Sequence, residues 1–393
     1  MYNKKCCLND ANHPFGTTYH NGICSGCITH LEKNVIDWDD KKNDLKELSK
    51  KIKSKSSSYN CVVPICGDAE DYFVVNQILK LNLNPLIVAV NNYFNNDIGW
   101  FNIQNLVTYF DLDSIIFHPD LHTYKQLVRT SLRKHKSIYL PFLNLHTSFP
   151  FHIAKERNIP LVVWGGHQSI EQVGKFSHHD MVESSAWSRK ENDLFGNDIG
   201  TLIGNGAEVN EKGLEFYFYP KIQALGRKVV GIYLSNYIRW DPLLQNHSCL
   251  PTGFKPQNNN YSFDVYERSG SSVYYQFHDL LRFDRHGYRK VRDQLNREIR
   301  HGRVTFVQAT KSYKTYSKKK VYIKPFFRWL GVSKTGYDWF IQHKLFKSRR
   351  LIAKDEKDVI MDEVFISHEI SKYTQEKHYC VSNFLHFSKQ LEL

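Results

Sequence analysis

Val62-Val63-Pro64-Ile65-Cys66-Gly67-Asp68-Ala69-Glu70-Asp71-Tyr72-Phe73 is the stretch from which the fold can be read. Residues 60–65 form a short, mostly apolar run, the pattern of a buried strand. From residue 71 to 81 the apolar positions Phe73, Val74, Ile78, Leu79 and Leu81 recur at helical spacing. A strand, a tight glycine turn and a helix N-terminus make the usual anion-binding place, because free backbone N–H groups and the helix dipole point at it. This turn carries Asp68, Glu70 and Asp71 and no Lys. Carboxylates there stabilise the start of a helix but repel a triphosphate.

Outward from that turn, apolar runs alternate with helical ones. The pattern predicts strands over 60–65, 85–90, 114–117, 159–164 and 229–234, and helices near 71–81, 100–110, 121–134 and 147–157. Alternation at this spacing predicts an α/β fold with a doubly wound parallel sheet. Ligands bind beyond the C-terminal strand ends of such sheets, which gathers the loops 66–72, 91–98, 118–122 and 165–175 around one site. Upstream, Trp38, Leu45, Leu48 and Ile52 mark an amphipathic helix that runs into a linker over 36–58. Downstream, 241–393 reads as a mainly helical, basic region, with helices at 288–301 and 338–354 and a Pro/Asn-rich surface loop at 246–261. The expected division is therefore 1–35, 36–58, 59–240 and 241–393.

An apolar content of 41% and an aromatic content of 14% in 393 residues are enough for a full core. The longest apolar runs are far too short to cross a bilayer. Met1 is followed by Tyr, Asn and two Lys with no apolar signal stretch, so a cytoplasmic chain with no membrane span is expected. The net charge of +13 fits nucleic acid, nucleotide, acidic sugar or a membrane surface, and by itself selects none. Much of the excess lies at 311–320 and 344–354. Tyr313 and Tyr316 are interleaved there, but no RNA-binding signature accompanies them and nucleic acid is not the expected partner. Cys6, Cys7, Cys24 and Cys27 fall within the first 27 residues. A cytoplasmic chain of this size needs no disulfide framework, so the cluster reads as a metal site.

Several blocks, taken together and in order, carry a resemblance. They are Gly22-Ile23-Cys24-Ser25-Gly26-Cys27 with His30 and Ile36-Asp37-Trp38; Cys61-Val62-Val63-Pro64; Asn84-Pro85-Leu86; and Ile159 through Trp164-Gly165. Further on come Phe176-Ser177 with Asp180, Ile232 through Tyr237 with Trp240-Asp241-Pro242, and Gly287-Tyr288 through Arg297-Glu298-Ile299-Arg300 to Gly302-Arg303. Over roughly residues 2–310 the chain resembles the N-acetyl sugar amidotransferases of surface-polysaccharide and pseudaminic-acid (nonulosonic-acid) pathways. The resemblance implies the PP-loop ATP pyrophosphatase fold, adenine-nucleotide alpha-hydrolase-like, with an N-terminal zinc-ribbon-like knuckle. It also implies a chemistry in lipopolysaccharide or surface-glycan biosynthesis. ATP with Mg²⁺ activates the oxygen of a sugar acetamido group, and ammonia from a partner glutaminase displaces AMP to leave an acetamidino group.

Carried onto this sequence, the nucleotide would meet Cys66, Gly67, Asp68, Ala69, Glu70, Asp71, Asn91 and Gly165. Catalytic candidates are Asp293, His167 and Asp279, and the sugar or sugar nucleotide would meet His278 and Ser177. Arg292, absent from the family pattern, is a further substrate-binding candidate. Structural zinc would sit on Cys6, Cys24 and Cys27, with Cys7 or one of His13, His20 and His30 as the fourth ligand. The chain also departs from the family. The loop S-G-G-K-D-S reads Cys66-Gly67-Asp68-Ala69-Glu70-Asp71, W-G-E reads Trp164-Gly165-Gly166 with His167 following, and T-D-H reads Arg292-Asp293-Gln294. In the knuckle, Asn3 replaces the first cysteine.

Asp68 adds bulk and negative charge where backbone must approach phosphate, and Ala69 removes the cation, so charge-assisted bonds to phosphate are lost. Three functions therefore stand side by side. One is the ATP-dependent amidotransferase. Another is a catalytically degenerate member that holds a sugar nucleotide or an active partner subunit without ATP chemistry. The third is a PP-loop tRNA-modifying relative. His178-His179 reads as a surface loop, and Cys66 as an inert, half-buried thiol.

Overall fold

The computed structural model describes residues 8, 13–54, 58–203, 213–221, 229–359, 364–374 and 385–386. A short antiparallel hairpin, β1 (Tyr19–His20) and β2 (Ile23–Cys24), leads into α1 (Ser25–Glu32) and α2 (Trp38–Lys53). Asp37 caps α2 by accepting from the amides of Asp39 and Asp40. The central unit follows as β3 (Cys61–Ile65), α3 (Ala69–Lys80), β4 (Pro85–Val90), α4 (Asp97–Phe110), β5 (Ser114–Phe117) and α5 (Leu121–His135). It continues with α6 (Leu140–His146), α7 (Phe149–Glu156), β6 (Leu161–Trp164), α8 (Gln168–Val173), α9 (Ala186–Ser188), β7 (Val230–Tyr233) and α10 (Pro242–His247). The remainder is helical: α11 (Tyr275–His286), α12 (Val291–Arg300), α13 (Phe306–Lys318), α14 (Lys324–Leu330), α15 (Lys334–Lys344) and α16 (His368–Thr374).

The strands form one parallel sheet in the order β5-β4-β3-β6-β7. Their apolar runs are continuous because both faces are covered. Val62, Leu86, Val88 and Val162 enter one core with residues of α5, α6 and α7. Val63, Ile65, Ile87, Ala89 and Val163 alternate into the other with residues of α2, α3 and α4. Pro64 has no N–H to donate, and the ladder between β3 and β6 does not extend past Val62↔Val162. Among the described residues no helix is long and apolar enough to cross a membrane.

Every expected strand is present, and several helices differ in extent. The segment read as one helix over 147–157 is the second of two, because Pro141 and Pro150 each open a helix of their own. The helix read at 338–354 starts at Lys334, where the Ser333 hydroxyl accepts from the Gly336 amide, and ends at Lys344. The stretch 246–261 is no free surface loop. The Asn102 side chain bonds both the N–H and the carbonyl of Lys255, Asn105 donates to the Thr252 carbonyl, and Phe254 is fully buried between them.

Cys6 and Cys7 lie outside the described residues. Cys24 and Cys27 are buried at the hairpin and on α1, and among the described residues no group of three or more His, Cys, Asp or Glu is placed to hold a metal.

Candidate functional site

From β3 the chain moves outward to β4 and β5, then returns on the other side of β3 as β6. The loops after β3 and β6 thus diverge from one crevice, where sheets of this kind take their ligands. At its floor, Asp71 in the first turn of α3 turns its carboxylate back into the loop. Asp71 Oδ2 accepts from the backbone N–H of Cys66 (2.8 Å), Gly67 (2.7 Å) and Asp68 (3.0 Å). The anion in this loop is the protein's own. Gly67 permits the turn, with φ +92 and the Gly99 carbonyl 2.8 Å from where a Cβ would stand.

Glu70 reaches across the crevice and accepts from the Gly166 N–H (3.0 Å). A Cβ at Gly165 would sit 2.1 Å from the same oxygen. Gly165 thus leaves room for the carboxylate of Glu70, and at Gly166, where the resembling family carries the acid of W-G-E, a Cβ would stand 2.6 Å from the Trp240 indole nitrogen. Burial pushes the Glu70 carboxyl up to about 7 against the pull of that amide, with Asp71 and Glu267 adding to the rise. Burial, then the charge of Asp68, raises Asp71 in spite of its three N–H bonds.

Asp68 points the other way. Ser271 Oγ donates to its Oδ1 (2.7 Å), and Arg268 Nη1 lies 3.4 Å from its Oδ2 and 3.7 Å from Cys66 Sγ. Burial, followed by Asp68 and Asp71, raises the Cys66 thiol well above its ordinary value and so disfavours the reactive thiolate. The segment 267–272 that delivers Arg268 is pressed onto α4, with the Asn96 amide donating to the Gly270 carbonyl (3.0 Å).

Loop, sheet ends and C-terminal helices enclose a cavity of about 590 Å³, a size that suits a sugar or part of a sugar nucleotide. One wall is fully paired. Lys290 Nζ is 3.4 Å from Glu267, and Gln294 Nε2 donates to Glu267 Oε2 (2.8 Å). The Phe15 amide donates to His13 Nδ1, so the proton sits on Nε2, 3.1 Å from Asp293 Oδ1. Burial would raise Asp293, but His13 and then Lys290 hold its carboxyl down to about 2.

The facing wall is under-bonded. Trp164 Nε1, Arg268 Nε, Arg282 Nη1 and the Nδ1 atoms of His146 and His278 are buried with no hydrogen-bond partner in the protein, and all five residues line the cavity. Three of these atoms can only donate. Folded proteins leave few such groups, and several in one wall mark a place for a ligand rich in acceptors. Tyr139 and Tyr275 add ring faces, 5.9 and 5.8 Å from the Arg268 guanidinium.

Of the residues expected from the sequence, Cys66, Asp68, Glu70, Asp71, Gly165, His278 and Asp293 line this cavity. Gly67 and Ala69 support the loop from behind. Asn91 closes the turn after β4, accepting from the Tyr93 amide (2.8 Å) with its Nδ2 3.0 Å from His118 Nδ1, so the loops 91–98 and 118–122 stand away from the cavity. His167 caps α8 against the Tyr233 ring, and burial pushes it down to about 4. Asp279 is buried behind the wall, where it accepts from the Lys290 amide (2.6 Å) between Arg282 (3.6 Å) and Arg289 (3.7 Å). Ser177 donates to Glu32 (2.9 Å), and Arg292 lies over the rings of Tyr288 and Tyr313. His178, expected at the surface, is buried against Trp38, while His179 is exposed.

His13, read from the sequence only as a possible zinc ligand, and His146, Glu267, Arg268, Arg282, Arg285, Lys290 and Arg297, not read as site residues, also line the cavity. A signal existed for four of them, Arg282, Arg285, Lys290 and Arg297. His278, Arg282 and Arg285 recur at i, i+4 and i+7 on α11, and Lys290, Asp293, Gln294 and Arg297 at i, i+3, i+4 and i+7 across the start of α12. A polar stripe at helical spacing on two successive helices means a polar cavity between them.

The paired and under-bonded walls alike draw on residues beyond 258. Residues 258–362 match the family described as LPS biosynthesis protein WbpG-like, C-terminal domain. An uncharacterized protein of Methanocaldococcus jannaschii is 22% identical over 157 residues, 38% of this chain and 55% of that protein, so the chain spans about half the length of this relative. In the segment that supplies the arginines and Asp293, then, this chain is similar to the C-terminal domain of WbpG-like lipopolysaccharide biosynthesis proteins.

Proposed function

We propose that this chain holds an N-acetyl sugar or sugar nucleotide in lipopolysaccharide or related surface-glycan biosynthesis, with its phosphate loop closed to ATP. The observation that carries the reading is the Asp71 carboxylate on the three loop amides. ATP with Mg²⁺ does not fit a loop whose donors are taken and whose neighbours are Asp68 and Glu70. The under-bonded donors and tyrosine rings of the cavity, and the similarity of residues 258–362 to a lipopolysaccharide biosynthesis domain, support a glycan ligand.

A second reading keeps the amidotransferase chemistry, with ammonia from a partner glutaminase. It is favoured by the raised carboxyl of Asp71. A protonated Asp71 would hold the loop amides less strongly and yield them to a phosphate. Structural zinc on Cys6, Cys7, Cys24 and Cys27 belongs to the same proposal as a staple for the N-terminal segment. Metal analysis of the purified protein tests it.

Isothermal titration decides between the two readings. The intact chain is titrated with ATP–Mg²⁺ and with UDP-N-acetylglucosamine, beside Asp71→Ser and the double variant Asp68→Gly, Ala69→Lys. The first reading expects the sugar nucleotide to bind the wild type and ATP to bind only the variants. ATP binding to the wild type, stronger in mild acid, selects the second. Binding of neither ligand by the wild type defeats both.

A further inference from the structure

The under-bonded wall carries charge as well as unpartnered donors. Arg282 and Arg285 stand one turn apart on α11, with His278 one turn before them. His278 Nε2 lies 3.5 Å from Arg282 Nη2 and serves as its acceptor, which leaves Nδ1 as an N–H with no partner. The carboxylates facing this corner are already committed. Asp279 is shared between Arg282 and Arg289, and Asp284 takes Lys136 (2.8 Å) and the amides of 346–348. Arg268 spends Nη1 on Asp68 and keeps Nε unbonded. Among the described residues no carboxylate lies within ion-pair distance of Arg285, whose Nη1 donates to the His135 carbonyl (3.2 Å). Donors in excess of acceptors, and guanidinium charge in excess of carboxylate, call for a ligand group that is both acceptor-rich and negative.

We propose that Arg282 and Arg285, with Arg268 Nε and His278 Nδ1, form a subsite for an oxyanion of the sugar ligand, a carboxylate or a phosphate. The inference rests on the glycan reading above and adds the ligand's charge to it. Arginine suits either source, since its planar fork meets two oxygens at once. It also gives this cavity two separate anion places, one closed by Asp71 and one open at the arginines.

The test is titration of the intact chain with four probes: N-acetylglucosamine, glucuronic acid, UDP-N-acetylglucosamine and inorganic phosphate. At least one charged sugar should bind about tenfold or more tightly than the neutral one. Glucuronic acid binding identifies a carboxylate, and UDP-N-acetylglucosamine binding a phosphate. Arg282→Gln should reduce the affinity for the charged sugar about tenfold and that for N-acetylglucosamine by clearly less. Arg285→Gln, at an exposed position that does not threaten the fold, should reduce the charged-sugar affinity in part. Equal binding of neutral and charged sugars, or equal losses for both in Arg282→Gln, overturns the subsite and spares the glycan reading. Phosphate binding with no sugar binding does the reverse. No binding of any probe overturns both.

Discussion

Asp71→Asn keeps a side chain long enough to reach the amides of Cys66, Gly67 and Asp68 but removes its charge, so at a pH where Asp71 is ionised the loop should loosen by about 1–3 kcal/mol. Denaturant midpoints of the two proteins measure this, and an unchanged midpoint would mean the carboxylate contributes nothing there. Because Asp71 is tethered beside its own donors, an outside phosphate competes with a local concentration on the order of millimolar or above. Glu70 gives a pH signature. Its carboxyl titrates near 7 folded against 4.5 in the free group, so the folded state holds the proton more tightly. Stability is then lost as pH rises from the lower value through the upper. Glu70→Gln has no proton to lose and still offers an oxygen to the Gly166 N–H. The stability of this variant relative to wild type should climb across that window and level off above it. A difference flat with pH in melting curves would sink the assignment.

At the level of elements, the cavity depends on close backbone approach. A Cβ on Gly99 would stand 2.3 Å from the Gly270 carbonyl, so Gly99→Ala must push α4 and the 267–272 segment apart. The expected cost is about 1–3 kcal/mol, and glycan binding should fall with it because Arg268 leaves Asp68. Asp279→Ala strands Arg289, which is almost fully buried, and should cost about 3–5 kcal/mol. These elements also show what a sequence can and cannot reveal. The strands were legible because five apolar runs, buried on both faces, alternate with helical spacing. The turn at Cys66–Asp71 was legible as an anion loop, and its acids as an obstacle to phosphate. That Asp71 fills the loop was not, since the bond depends on the curl of one turn. The stretch 246–261 misled because Pro and Asn favour turns, while its carbonyls are satisfied by Asn102 and Asn105, which lie far away in sequence. Ser271 meets Asp68 across 203 positions of sequence and Arg268 meets Cys66 across 202, and no local pattern records such pairs.

Across the whole molecule the cavity belongs to neither half alone: the loop and sheet ends supply its floor, and residues beyond 258 supply most of its charge. Residues 258–393 expressed without the rest should therefore fail to bind any sugar that the intact chain binds, which a side-by-side titration would show. The N-terminal end is drawn in as well. Lys33, buried, bonds Glu171 (2.6 Å) and the Trp240 carbonyl (2.9 Å), Arg300 donates to the carbonyls of Glu171 and Gln172, and His13 meets Asp293 across 280 positions of sequence. That last contact has a consequence in time. At a synthesis rate of about 5–20 residues per second, His13 is synthesised roughly 15–60 s before Asp293. The N-terminal segment must wait for its partner, so the cavity is among the last features of the newborn chain to close.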